Sequence, residues 1–296
     1  MTATLSPQAL NEQYGIPHTL RFESAPGGRL VRAVVTGDAA TGVIYLYGAQ
    51  VAEYQPVGHK PVLFMSRQAH YREGQPIRGG IPICFPWFGR KEGEPGAPAH
   101  GTVRTKNWDF KAARKEGDNL VIDLTTAADH YELLYSVSFG AQLTLKLKVT
   151  NTGPFASSFE EALHTYFAVS QIRQTEVLGL KGHEYLDKTQ NFTRSTQGAD
   201  PLEFAAETDR IYPTMADNCV IRDPGLHRRI KIEKGNAHST VVWNPWDEKA
   251  VEMDDLADDE WATFVCVETG NIADSKVTLE PTQSHEMSTT ITVEKV

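Results

Sequence analysis

In several stretches of this chain apolar and polar residues alternate one by one, the spacing that sends successive side chains to opposite faces of a strand. The clearest run is Leu143, Leu145, Leu147 and Val149, interleaved with Thr144, Lys146, Lys148 and Thr150. It predicts a strand with one dry and one wet face. Met287, Thr289, Ile291 and Val293 repeat the pattern near the C-terminal end. Shorter stretches rich in Val, Ile and Tyr and broken by glycine read the same way: LVRAVVTG, GVIYLYGAQVAEYQP, NLVIDLTT, HRRIKIEK, STVVWNPW and WATFVCVETGN. No long helical period interrupts them, so the strand–helix–strand rhythm of a parallel sheet is missing. The pattern predicts an all-β chain folded as one large antiparallel β-sandwich. Strand texture begins at Leu30. Residues 1–29 are therefore expected to form a leader packed on a single domain of residues 30–296, with Ser6-Pro7 marking a helix start.

Composition adds a large core and removes several functions. The 296 residues are 40% hydrophobic and include 12 Phe, 10 Tyr and 5 Trp, ample material for one extended sandwich. A formal net charge of -9 opposes nonspecific binding to nucleic acid or to an acidic membrane face. No apolar run is long enough to span a bilayer, and MTATLSPQALNEQYG lacks the basic and apolar regions of a signal peptide. A cytoplasmic location is expected. Cys84, Cys219 and Cys266 are odd in number and widely spaced, which predicts reduced, buried thiols rather than a disulfide framework or a structural zinc site. The acidic run MDDLADDEW (Asp254, Asp255, Asp258, Asp259, Glu260) lacks the glycine and spacing of a calcium loop and reads as a solvated loop or helix.

Four stretches carry candidate chemistry. In EEALHTYFAVSQI, alternation places Ala162, His164 and Tyr166 on one face and Leu163, Thr165 and Phe167 on the other. His164 is thus either a core histidine with a satisfied hydrogen bond or a shielded group whose protonation its neighbours tune. IRGGIPICFPWFG, with adjacent glycines, two prolines and three aromatic rings, predicts a tight rigid segment opened by Arg78. AHGTVRTKNWDF offers His100 and Arg104. Arg78 and Arg104 could hold a phosphate through forked, charge-assisted hydrogen bonds if they converge, and could equally be unrelated surface groups. In FVCVETGN, Glu268 is expected at the end of an apolar strand, either satisfied there or presented as a base at the rim of the sandwich. His164 with Glu268 suggests a two-group acid–base pair. No G-x-S-x-G elbow, H-E-x-x-H or dinucleotide-binding loop is present, so neither a metal nor a cofactor is expected. A carboxylate pair for glycoside hydrolysis stays open at this point.

Taken in order, PIRGGIPICFPWFG, AHGTVRTKNWDF, EEALHTYFAVSQI, ETDRIYP, VVWNPW and FVCVETGNI resemble the aldose 1-epimerase superfamily, and within it the hexose-6-phosphate mutarotases. The resemblance runs from about Leu30 to the C-terminus. It implies a galactose-mutarotase-like supersandwich and an isomerase that interconverts the α and β anomers of a hexose 6-phosphate without a cofactor. It further implies His164 as catalytic acid, Glu268 as catalytic base, Arg78 and Arg104 at the substrate phosphate, and His100 and Asp209 at the sugar. The implied partner is a small phosphorylated sugar, and the implied state a monomer. Ala99 and Thr102-Val103 depart from the residues usual around the His-Gly pair. Two rival readings remain on the same sandwich: a mutarotase for an unphosphorylated aldose, and a noncatalytic carbohydrate-binding module.

Overall fold

The computed structural model describes residues 6–198, 201–215 and 217–296. Strand pairing begins earlier than the sequence pattern announced. Leu20–Ser24 pairs antiparallel with Val31–Thr36, so the first sheet starts ahead of Leu30. The texture was hidden because this short strand carries Arg21 and Glu23 on its outer side and only Leu20 and Phe22 inside. The helix before it, Pro7–Tyr14, starts where Ser6 caps it: the Ser6 hydroxyl accepts from the Ala9 N–H, and Pro7 sits in the first turn. Asn11 clamps the helix to the strand, accepting from the Phe22 N–H (2.8 Å) and donating to the Phe22 carbonyl (2.6 Å).

Two large antiparallel sheets form the body. One has nine strands, in the order Leu202–Glu203, Glu176–Leu178, Cys219–Asp223, Arg228–Gly235, Ser284–Lys295, Gln142–Asn151, Tyr131–Phe139, Asn119–Ala128 and Asp109–Glu116. The other has eight, in the order Thr193–Thr196, Glu184–Asp187, Thr208–Tyr212, Ser239–Asn244, Phe264–Asn271, Glu161–Leu163 and Ile83–Cys84, with Tyr166–Ala168 also paired to Phe264–Asn271. A four-stranded sheet over residues 20–56 flanks them. The alternating residues behave as read: Leu143, Leu145, Leu147, Val149, Met287 and Ile291 are fully buried. They share one core with Leu163, Phe167, Val242, Val265 and Val267 of the eight-stranded sheet. Between the sheets the Thr269 hydroxyl meets the Thr289 hydroxyl at 3.2 Å.

That core determines which residues face away from it. Val265, Val267 and Thr269 point inward, so Phe264, Cys266 and Glu268 take the opposite face. This face is covered in its turn by Phe64, Ala250 and Leu256, which explains why the whole strand Phe264–Asn271 is buried. The three cysteines are buried and free, as expected. No helix among the described residues is long and apolar enough to cross a membrane.

Candidate functional site

Register alone gathers the site. Antiparallel pairing sets Asp209 opposite Trp243, Val241 opposite Glu268, and Ala162 between Gly270 and Cys84. Glu268 is therefore not at a strand end, as expected, but in the body of a strand that continues to Asn271. His164 occupies a break. The strands Glu161–Leu163 and Tyr166–Ala168 both pair with Phe264–Asn271, and between them the Thr165 N–H turns back to the Leu163 carbonyl (2.9 Å). The face assignment survives this break: Leu163 and Phe167 enter the core, while His164 stacks on Tyr166 with ring centroids 4.8 Å apart and planes 9° off parallel.

Arg78, His100, His164, Asp209 and Glu268 line one cavity of about 500 Å³, with Phe88, Lys188, Phe192, Glu207, Trp243 and Lys249. His164 Nε2 lies 3.4 Å from Glu268 Oε1. His164 Nδ1 and Glu268 Oε2 are buried without a protein hydrogen-bond partner. His100 stands edge-on to His164 at 5.5 Å. Its Nδ1 accepts from the Gly89 N–H (3.3 Å) and lies 3.4 Å from Cys84 Sγ. Burial pushes the Cys84 thiol up, so the sulfur keeps its proton and Nδ1 acts as acceptor. Nε2 is then the protonated nitrogen of His100, a hydrogen-bond donor on the cavity wall.

Burial dominates the electrostatics of the pair. It holds His164 well below the usual imidazole value, helped by the positive charges of Arg104, Arg78 and Lys188. It raises Glu268 well above the usual carboxylate value, with Lys188 opposing and Asp209 reinforcing the shift. The shifts favour a neutral imidazole beside a protonated carboxyl over the expected imidazolium beside an ionised carboxylate. Both forms hold the same number of protons. They differ only in which partner carries the mobile one.

The two arginines part company. Arg78 is on the wall, its Nε 3.0 Å from Asp255 Oδ1 and its Nη1 donating to the Tyr166 hydroxyl at 2.8 Å. Arg104 does not line the cavity: its Nη2 donates to the Ala99 carbonyl at 2.8 Å, although its charge acts on His164 and His100. The solvated reading of the acidic run fails for two of its members. Asp255 is buried against Arg78, and Glu260 is buried where it accepts from the Ser66 hydroxyl (2.7 Å), the Arg67 N–H (2.8 Å) and the Ala257 N–H (2.9 Å). Asp254, Asp258 and Asp259 are exposed. The apolar Leu256-Ala257 within the run was the signal that part of it folds inward.

Asp209 meets Lys188 at 2.6 Å, while its Oδ1 is buried without a partner and burial raises its pKa. Lys188 and Lys249 were not anticipated. Lys249 pairs with Glu207 at 2.8 Å, so the cations of the wall, Arg78, Lys188 and Lys249, each have a carboxylate beside them. Tyr166 was legible as a neighbour of His164. Nothing in the local sequence marks Lys188.

A family model described as aldose 1-epimerase matches residues 33–292. A candidate glucose-6-phosphate 1-epimerase of Escherichia coli (strain K12) is 33% identical over 243 residues, covering 79% of this chain and 81% of that protein. Another, from Cenchrus ciliaris, is 32% identical over 256 residues, with 80% and 77% covered. The crystal structure of a candidate mutarotase from Salmonella typhimurium superposes with a TM-score of 0.88 at 28% identity, covering 96% of each chain. A galactose mutarotase-like protein from Clostridium acetobutylicum shares the fold, with a TM-score of 0.70 at 12% identity over 94% of this chain and 98% of that one.

Proposed function

This chain belongs to the aldose 1-epimerase family, and from that premise we propose that it interconverts the α and β anomers of a hexose 6-phosphate, glucose 6-phosphate first. The observation that carries the reading is the buried His164–Glu268 pair, 3.4 Å apart on the wall of a sugar-sized cavity. Changing an anomer means opening the hemiacetal, rotating the freed aldehyde and closing the ring again. Opening removes a proton from the C1 hydroxyl and delivers one to the ring oxygen. A pair that shares one mobile proton can do both. Glu268 in its carboxylate form accepts from the hydroxyl while His164 in its imidazolium form donates to the ring oxygen, and closure on the other face reverses the transfers. Net proton count never changes, so the pair returns to its starting state after each turnover. Each transfer is typically worth roughly 10²–10⁴-fold in rate.

The cavity-wall side chains of His100 and Asp209 supply a donor and an acceptor for ring hydroxyls. In this reading Arg78 meets the phosphate, and Arg104 acts from behind it through charge rather than contact. A second reading is a mutarotase for an unphosphorylated aldose. It is favoured by one observation: Arg78, Lys188 and Lys249 already face Asp255, Asp209 and Glu207, so a phosphate must compete for each of them.

The test follows the decay of pure α-glucose 6-phosphate, and of α-glucose, toward equilibrium by polarimetry with wild type and Glu268→Gln. Faster decay of the phosphate, lost by about 10²-fold or more in the variant, is expected. Equal acceleration of both sugars establishes the second reading, and no acceleration of either sinks both.

A further inference from the structure

We propose that Phe192 is a specificity-determining residue, an aromatic platform at the cavity mouth that packs against the apolar face of the substrate's sugar ring. The inference rests on the mutarotase reading for the identity of the sugar. It rests on its own observations for the contact.

Asn191 and Phe192 are consecutive non-glycine residues in the left-handed region, with φ 52° and 60°. That region is uncommon for any side chain but asparagine or aspartate and a genuine outlier for a bulky aromatic. Such strain persists only where the surroundings over-determine it, and it concentrates at ligand sites. The surroundings here are plain. Asp187 Oδ1 accepts from both the N–H (3.0 Å) and the hydroxyl (2.6 Å) of Thr189, fixing the short turn Lys188–Gln190. Lys188 is tied to Asp209 across the sheet. The Thr193 hydroxyl closes the turn by donating to the Gln190 carbonyl at 2.7 Å.

The ring is not part of the hydrophobic core. Phe192 is 54% exposed, and the strand that follows it, Thr193–Thr196, is exposed throughout. Yet Phe192 lines the same cavity as His164 and Glu268. An apolar ring held in strain, outside the core and over a polar cavity, fits a ligand that is polar at its edge and apolar on its face. A pyranose has that character: its hydroxyls would reach His100 and Asp209, and its C–H groups would lie on the ring.

The proposal is tested by the Kd of 1,5-anhydroglucitol 6-phosphate, which has no anomeric hydroxyl, and by anomerisation kinetics, for Phe192→Ala, Phe192→Gly and Phe192→Tyr. Loss of the platform should raise Kd and KM about tenfold in both the Ala and Gly variants. In those variants kcat should stay within about twofold, and Tyr should restore binding. Glycine tolerates a positive φ, so a rise in the Ala variant that the Gly variant abolishes would trace the effect to turn geometry and overturn the proposal. Unchanged Kd and KM in both would overturn it as well. Wild type that binds the anhydro sugar without anomerising glucose 6-phosphate would sink the mutarotase reading, while the Kd comparison would still judge Phe192.

Discussion

At the scale of single residues, what matters is where one mobile proton resides. The competent pair is the singly protonated one. A second proton on His164 blocks base catalysis, and loss of the carboxyl proton of Glu268 removes the acid. In an exposed pair those limits would be the ordinary values, 4.5 for the carboxyl and 6.5 for the imidazole, and activity would be confined between them. Burial lowers the imidazole and raises the carboxyl, so neither limit keeps its ordinary value. The expected kcat/KM profile is bell-shaped, with an acid and an alkaline limb that each belong to the pair rather than to one residue. A profile flat across both limbs, measured where chemistry limits the rate, would contradict this account. The alternation of Ala162, His164 and Tyr166 made the orientation of the histidine legible in the sequence. The direction of its pKa shift was not legible, because it depends on burial by Trp243, Phe264 and Leu256, which arrive from distant strands and loops.

At the scale of elements, the segment that delivers Arg78 shows how turn chemistry positions a side chain. Gly79 and Gly80 have φ 107° and 62°, and their backbone lies against the strand Gln50–Pro56 and the segment at Phe64 and Met65. A Cβ on Gly79 would sit 2.4 Å from the Phe64 carbonyl oxygen and 2.7 Å from Met65 Cα, and one on Gly80 would sit 2.4 Å from the Val51 carbonyl oxygen. Gln50 holds the turn from the other side, donating to the carbonyls of Ile77 (3.0 Å) and Gly79 (2.6 Å). Gly79→Ala therefore combines strain with a backbone clash. It should lower stability by about 2–4 kcal/mol in denaturant titration and lower kcat/KM with it, as Arg78 is displaced. Gly96→Ala, in open space at an ordinary φ, should leave both unchanged. The adjacent glycines announced this turn in the sequence. The partner of the arginine they present did not announce itself, since Asp255 is 177 positions away in a stretch whose composition says only that it is acidic.

At the scale of the whole molecule, the sheets follow from alternation, and the site follows from the sheets. One face of Phe264–Asn271 is sealed by the core between the two sheets, and on the other Glu268 is a buried carboxyl on the cavity wall with one oxygen unpaired. The folding free energy bears the consequence. A carboxyl whose pKa is higher folded than unfolded contributes most below the unfolded value, and that contribution is lost as pH rises through the folded one. Glutamine has no proton to lose. Glu268→Gln, inert as a base, should melt no lower than wild type in acid and progressively higher as pH rises, by about 2–4 °C for each kcal/mol relieved. A constant or falling difference in calorimetry would show that the carboxyl is at ease where it lies. A rising one would mean that this protein keeps a less durable fold than its own sequence could have, at the position where its chemistry requires it.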